Sequence, residues 1–336
     1  MIHFSLVVAT RGRTTELVEF LDSVTAQGRD DVEVIVVDQN EDGRLAPLLA
    51  PFAERLRLTH LRSSVARANH ARNLGLRLAA GELVSFPDDD CLYPPRLLDR
   101  VAAAFEADPA LTILTGPAES PEGGLGSGRW RQEGGPITPE NAWTSIIEFN
   151  LWLRRDLALR LGGFDDAMGP GTQLGSAEGN DLVLRAVTVG HKAIYDPSLR
   201  IIHPDKRLSE VAVARAWLYG AGLGFALRRH SVPAAVWMPF AIRPLGGLAL
   251  SLVKLRPRDA AYYGMTFLGR LRGFLRGDAT AGRIRPAIQG RKPNRMLVCH
   301  LTEADVAGLP ARFPHVEFLV SSAGLPRAGP VHRTDQ

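Results

Sequence analysis

Residues 82–95 read ELVSFPDDDCLYPP: a short apolar run, three consecutive aspartates, then a pair of prolines that opens a helix. An apolar run of strand length that ends in charge marks a buried strand leaving its sheet, so Asp88, Asp89 and Asp90 are expected at the sheet's carboxyl edge. Like charges this close oppose one another's ionisation, and such a trio asks for a compensating cation or for solvent. Oxygen-only donors on a short loop suit Mg2+ or Mn2+, ions that keep several waters and take further ligands from phosphates. A solvated acidic turn capping the helix near Pro95 is the plainer alternative.

The flanking sequence repeats one alternation. Residues 2–9 and 32–37 are unbroken apolar runs rich in valine and isoleucine, as parallel strands buried on both faces require. Between them Thr14 can cap a helix whose Leu17, Val18, Leu21 and Val24 share a face. Strands are expected at 56–61, 83–86 and 111–115, with helices at 66–80 and 97–105 between them. This order predicts a doubly wound α/β fold around a mostly parallel sheet, with ligands beyond the carboxyl ends of the strands. Those ends carry Thr10, Arg11 and Arg13, then Asp38, Gln39 and Asn40, then the three aspartates. Arginines and a hydroxyl suit phosphate; Asp38 and Asn40 suit a nucleobase or a ribose hydroxyl. No GxGxxG follows the first strand and no GxxxxGK[ST] occurs, so a nicotinamide site and a P-loop are poor readings.

Residues 117–139 are glycine-rich and long for an ordinary connection, which reads as a mobile lid or acceptor loop, or as a surface excursion. A strand at 146–153, a Leu161-Gly162-Gly163-Phe164-Asp165 turn, a second glycine loop at 169–176, a helix at 180–189 and a strand at 193–195 follow. The run ends at Ile201-Ile202-His203-Pro204. The whole chain of 336 residues is 45% hydrophobic and 23% charged, a globular composition long enough for a large domain with appendages. Its two cysteines, Cys91 and Cys299, exclude a disulfide framework and point to a reducing compartment. No secretion signal is read at the N-terminus, so a cytoplasmic location is expected.

At this point five motifs, in order, resemble the inverting family 2 glycosyltransferases of GT-A fold. They are SLVVATRGR (5–13), EVIVVDQNEDG (33–43), RANHARNLGLRLAAGELVSFPDDDCLYPPRLL (67–98), LRLGGFDDAMG (159–169) and GSAEGNDLVLRAVTVGHKAIYDPSLRIIHP (175–204). The resemblance implies a nucleoside-diphosphate sugar donor, a divalent metal (Mg2+ or Mn2+), and transfer to a hydroxyl with inversion. Carried over residue by residue, it gives Thr10, Arg11, Arg13, Asp38 and Asn40 to the donor nucleotide, with Arg72 and Asn73 closing over it. Asp88 and Asp90 form the family's D-x-D around Asp89, leaving open which carboxylate meets the metal and which a ribose hydroxyl. His203 stands where the family often has a histidine near the metal or diphosphate; a structural role is the alternative.

The family usually places its general base in an E-D pair at a helix start, whereas this chain reads Glu178-Gly179-Asn180-Asp181. Glu178 and Asp181 remain as catalytic candidates. Glu178 is preferred, because it falls ahead of the first helical turn, after a glycine loop; Asp181 also stands at ion-pair spacing from Arg185. Trp143, Trp152 and Phe164 either form an apolar platform for an acceptor sugar or belong to the core. Gly163, Asp165 and Asp166 belong to the same candidate acceptor region. The Gly179 departure keeps a non-catalytic sugar-nucleotide-binding or scaffold protein as an alternative, and a nucleotidyltransferase is a second enzymatic one.

Beyond residue 205 the character changes. Residues 211–225 are helical in pattern, and 232–253 are apolar with Arg243 as their single charge, but Pro233, Pro239 and Pro244 interrupt them. Arg228, Arg229, Arg243, Lys254, Arg256, Arg258, Arg270, Arg272 and Arg276 crowd this stretch and flank apolar runs; they are not interleaved with stacking aromatics, which favours anionic lipid over nucleic acid. Peripheral attachment to the inner face of the cell membrane is therefore expected, with a lipid-linked or polysaccharide acceptor. A covering helical bundle or a homodimer is the alternative. Four segments result: 1–116 for the donor, 117–205 for acceptor and base, 206–275 for the membrane-facing helices, and a tail, 276–336, without assigned role.

Overall fold

The computed structural model describes residues 3–126, 128–205 and 210–277, together with the backbone of the strands at 296–299 and 318–321. Most of the 276–336 tail, including His300, lies outside the described residues.

The elements run β1 (Phe4–Thr10), α1 (Thr15–Thr25), β2 (Val32–Asp38), α2 (Ala46–Ala53), β3 (Arg57–Arg62), α3 (Ala68–Leu78), β4 (Leu83–Ser85), α4 (Leu97–Ala107), β5 (Leu111–Thr115), β6 (Ala118–Glu119) and β7 (Gly135–Pro136). They continue as β8 (Leu151–Arg154), α5 (Arg155–Arg160), α6 (Glu178–Thr188), β9 (Lys192–Tyr195), β10 (Ile201–Ile202), α7 (Glu210–Arg229), α8 (Ala234–Val253), α9 (Pro257–Arg276), β11 (Met296–Cys299) and β12 (Phe318–Ser321). The large sheet has the order β12-β11-β3-β2-β1-β4-β8-β5-β9-β7.

In β1, Phe4, Leu6 and Val8 fall to one face while Val7 falls to the other; Val34 and Val36 of β2 oppose Ile35 and Val37 in the same way. Both faces are covered, which is why the strands read as continuous apolar runs. β1 lies between β2 and β4, parallel to both. The chain leaves β1 toward β2 on one side and returns through β4 on the other, making a switch point where a crevice opens beyond the carboxyl ends. A parallel bridge between Ala9 and Asp88 brings the aspartates to that crevice.

The second half of the sheet is mixed. The strand expected at 146–153 is one short 3-10 turn, Glu148–Asn150, followed by β8, which lies antiparallel between β4 and β5; a second such turn, Ala142–Thr144, precedes it. Buried Asn150 bends the chain there, its amide donating to the carbonyls of Pro117 and Leu199. Helix α2 was not expected from a segment with two prolines. Pro47 falls in its first turn, where an N–H has no partner to lose, and Leu49 and Phe52 anchor the helix in the core. Residues 117–139 carry β6 and β7, which pair with β10 and β9.

Helices α7 and α9 meet backbone to backbone. A Cβ on Gly224 would come within 2.0 Å of the Arg270 carbonyl oxygen, and one on Gly273 within 1.9 Å of that of Ala221. Gly222 faces Ser176 as closely, at 2.3 Å, and Ser176 Oγ donates to Tyr219 O at 2.7 Å, so α7 is also seated against the loop before α6.

Candidate active site

The three aspartates are compensated by side chains. Arg13 bonds Asp89, and its other nitrogen lies 2.7 Å from Asp90 Oδ2. Arg72 Nη2 donates to Asp88 Oδ1 at 2.9 Å. His203 Nε2 lies 3.3 Å from Asp90 Oδ1 and 3.8 Å from Asp88 Oδ2. Burial pushes the Asp89 carboxyl up, against the pull of Arg13. Burial also opposes the charge on Asp90, but His203 and Arg13 bring its pKa below the ordinary range. The same balance runs in reverse at His203: burial lowers its pKa, and the bond to Asp90 with the Asp88 charge raises it.

A divalent ion fits this donor set. Asp90 Oδ1 is buried with no hydrogen-bond partner apart from the 3.3 Å approach of His203. His203 Nδ1 lies 2.8 Å from Pro204 O; donating there leaves Nε2 with the lone pair in the neutral ring. The ring is fixed by stacking on Phe149, centroids 4.4 Å apart. Asp88, Asp90 and His203 would thus hold Mg2+ or Mn2+. Cys91 is close to them, but burial pushes its thiol well up and keeps it a poor ligand.

Several residues expected at the donor sit elsewhere. Asp38 is buried with both oxygens engaged: Oδ1 accepts from the backbone and side-chain nitrogens of Asn40, and Oδ2 lies 3.1 Å from His60 Nε2. Asn40 Oδ1 in turn accepts the Gly12 N–H at 2.7 Å. The pair fixes the loops after β1 and β2 to each other instead of facing a ligand. Asn73 clamps the Gly163–Asp166 turn, bonding Phe164 N, Phe164 O and Asp166 Oδ1. Gly163, at φ +70°, has Asn73 Oδ1 2.2 Å from where a Cβ would stand, so it serves that clamp and not an acceptor. Arg72 is buried beneath the crevice and spans it, reaching Asp88 on one side and Glu178 Oε1, at 3.2 Å, on the other. Arg11 is exposed and Arg13 half-buried at the end of β1, with Thr10 buried beside them.

The acceptor side needs similar corrections. Phe164 is 1% exposed and packs edge-on against Phe86, and Trp152 is wholly buried, so both are core aromatics, out of reach of a sugar ring. Trp143 remains half-buried, near Phe240 of α8. Asp165 accepts from Arg229 at 2.8 Å and is held below the surface. Asp181 is fully buried, with Arg185 Nε at 2.9 Å, His230 Nε2 at 3.0 Å and Arg229 at 3.3 Å. Burial opposes its charge, yet His230, Arg185 and Arg229 outweigh that and hold the carboxyl at about 2. It is a structural anion, not a base.

Glu178 is the first residue of α6, two residues earlier than expected, and only 3% exposed, so it does not project freely into the cleft. Ala177 before it has φ 65°, a left-handed conformation that costs an alanine about 1 kcal/mol or more. Burial and the nearby Glu148 charge push the Glu178 carboxyl up to about 8, in spite of Arg72. Glu148 and Tyr219 were not singled out in the sequence; the charge of Glu148 is felt by Arg72, Glu178 and Tyr219 alike.

Comparisons with known proteins bear on the fold. Residues 5–160 match the sequence profile described as glycosyl transferase family 2. The chain is 26% identical over 173 residues to an uncharacterised glycosyltransferase of Haemophilus influenzae, covering 49% of this chain and 57% of that one. It is 22% identical over 112 residues to one of a Nostoc species, covering 33% and 35%. It therefore spans about half or less of the curated relatives it matches. Among solved structures it resembles a mannosyltransferase of Pyrobaculum calidifontis in complex with GDP-Man and Mn2+: TM-score 0.57, 22% identity, 81% of this chain and 86% of that. It also resembles S. aureus TarS in complex with UDP-GlcNAc: TM-score 0.54, 19% identity, 81% and 90%. The fold is that of the GT-A glycosyltransferases.

Proposed function

We propose that the protein, whose residues 5–160 match the profile described as glycosyl transferase family 2, moves a sugar from a nucleoside-diphosphate donor to an acceptor hydroxyl, with inversion and metal assistance. One observation carries the reading: Arg72 joins a metal-suited cluster of Asp88, Asp90 and His203 to a buried carboxylate, Glu178, across a single cleft. A bound divalent ion would supply Lewis-acid stabilisation to the departing diphosphate. Arg11 and Arg13 lie where they meet its phosphates, and Arg13 would exchange its carboxylate partners for them. The carboxylate side of the cleft removes the proton of the acceptor hydroxyl. The neighbours' complexes with GDP-Man and UDP-GlcNAc support a nucleotide-sugar donor.

The acceptor is read as lipid-linked or saccharide, met at the inner face of a membrane. Helix α8 has 20 residues with a mean hydropathy of 1.5 and is little buried. Met238, Ile242, Leu245, Leu268, Leu271 and Leu275 of α8 and α9 are exposed. Residues 231–277 contain seven lysines and arginines against one acid, Asp259, which suits anionic headgroups at about 1 kcal/mol per charge near the surface.

The first test is a melting-temperature screen with UDP-, GDP- and dTDP-sugars, with and without Mn2+. A metal-dependent rise with one nucleotide is expected; no rise with any of them sinks the donor reading. Flotation with vesicles containing anionic lipid tests the surface, and a dimer that stays with the aqueous phase would replace it.

A further inference from the structure

We propose that Glu148 is the carboxylate that takes the acceptor proton, filling the space left because residue 179 has no side chain. The inference rests on the transferase reading above and concerns the same cleft.

A Cβ built on Gly179 would stand 3.0 Å from both Cγ and Oε1 of Glu148 and 3.2 Å from its Cδ. The Glu148 side chain therefore lies against the volume that a side chain on residue 179 would enter. Its position is fixed by the Gly179 N–H, which donates to Glu148 Oε1 at 3.1 Å. The next residue, Phe149, stacks on His203 of the metal-suited cluster. One short 3-10 turn thus touches both sides of the cleft.

Glu148 and Glu178 differ in access. Glu178 is 3% exposed and tied to Arg72, while Glu148 is half-buried and keeps an open side. At Glu178 burial and the Glu148 charge favour the neutral form. A protonated acid cannot serve as a base, so Glu178 donates a bond or stores a proton while Glu148 does the abstraction. In the step itself the acceptor O–H bond breaks and its proton passes to Glu148. The freed electron pair of the acceptor oxygen bonds the anomeric carbon as the bond from that carbon to the diphosphate oxygen breaks, its pair leaving on the nucleoside diphosphate.

The test compares wild type, Glu148→Gln, Glu178→Gln and the double variant Glu148→Ala/Gly179→Asp, which moves the carboxylate onto α6. The probe is whichever nucleotide sugar raises the wild-type melting temperature with Mn2+, and the readout is release of nucleoside diphosphate with water as acceptor, alongside the donor-induced melting shift. A loss of about 10²–10⁴-fold is expected in Glu148→Gln with the donor shift kept. Glu178→Gln, which mimics a protonated Glu178, should lose less rate than Glu148→Gln, and a larger loss overturns the proposal. The double variant should recover about tenfold or more over Glu148→Gln. Full activity in Glu148→Gln overturns the proposal, as does loss of the donor shift together with the rate. A wild type that neither binds nor hydrolyses any donor removes the transferase reading as well, which separates the two failures.

Discussion

Two buried carboxylates stand on the first turn of α6, and their surroundings move their pKa values in opposite directions. On the cleft side Glu178 meets one arginine and a rival acid, and its carboxyl rises to about 8. On the inner side Asp181 is as deeply buried, yet two arginines and a histidine hold it at about 2. Burial opposes the charge in both places. The number and sign of neighbouring charges decides the outcome, giving one helix turn a rigid anchor on one side and a proton-holding group on the other.

The comparison breaks most visibly at Asp181. Asp181→Asn should cost about 3–5 kcal/mol, because Arg185 is left buried without its anion and Arg229 keeps Asp165 but loses Asp181. Chemical denaturation would measure it; a loss below about 1 kcal/mol would show that Asp181 is not an anchor.

Next in size is the pH dependence. Glu178, raised from 4.5 to about 8, contributes stability that is full below 4.5 and lost as pH rises through 8. Asp181, lowered from 3.8 to about 2, contributes stability present above 3.8 and lost only as pH falls toward 2. The wild-type unfolding free energy should therefore decline from pH 5 to 9 by on the order of a few kcal/mol, read as a falling melting temperature, and Glu178→Gln should flatten the decline. A flat wild-type profile contradicts the cleft-side assignment.

The smallest effect lies at the residue ahead of both carboxylates. Ala177→Gly relieves the left-handed strain and should stabilise the fold by about 1 kcal/mol or less, read as a slightly higher melting temperature. A lower one would mean that the alanine side chain contributes packing that outweighs its backbone strain.

Much of this molecule is legible in its sequence. The valine-rich runs announced β1, β2 and the switch point, because strands covered on both faces admit little else, and the aspartates followed from where β4 had to end. Partners distant along the chain were not legible. Gly179 shows in the sequence as a missing acid, but its replacement by Glu148 depends on a fold that brings a 3-10 turn against α6. Arg229 looked like a basic residue beside an apolar run, yet it lies at the buried end of α7 and, with the next residue His230, grips Asp181. Phe164 reads as either a sugar platform or a core residue, since an aromatic in a glycine turn carries no mark that separates the two, and the fold puts it in the core. Asp38 misled for a related reason: a strand-end carboxylate faces a ligand or its own loop according to whether a histidine such as His60 stands across from it.

The glycine-lined meeting of α7 and α9 has a mechanical consequence. With carbonyl oxygens where side chains would otherwise cushion the contact, neither helix can slide or rotate without collision, so the two behave as one spar. One end of that spar is pinned to Asp165 and Asp181 through Arg229 and His230. Whatever the exposed flank of α8 and α9 rests on, the cleft is then held at a fixed height above it. Were an acceptor anchored in such a surface, its own length would decide which of its hydroxyls reaches the cleft.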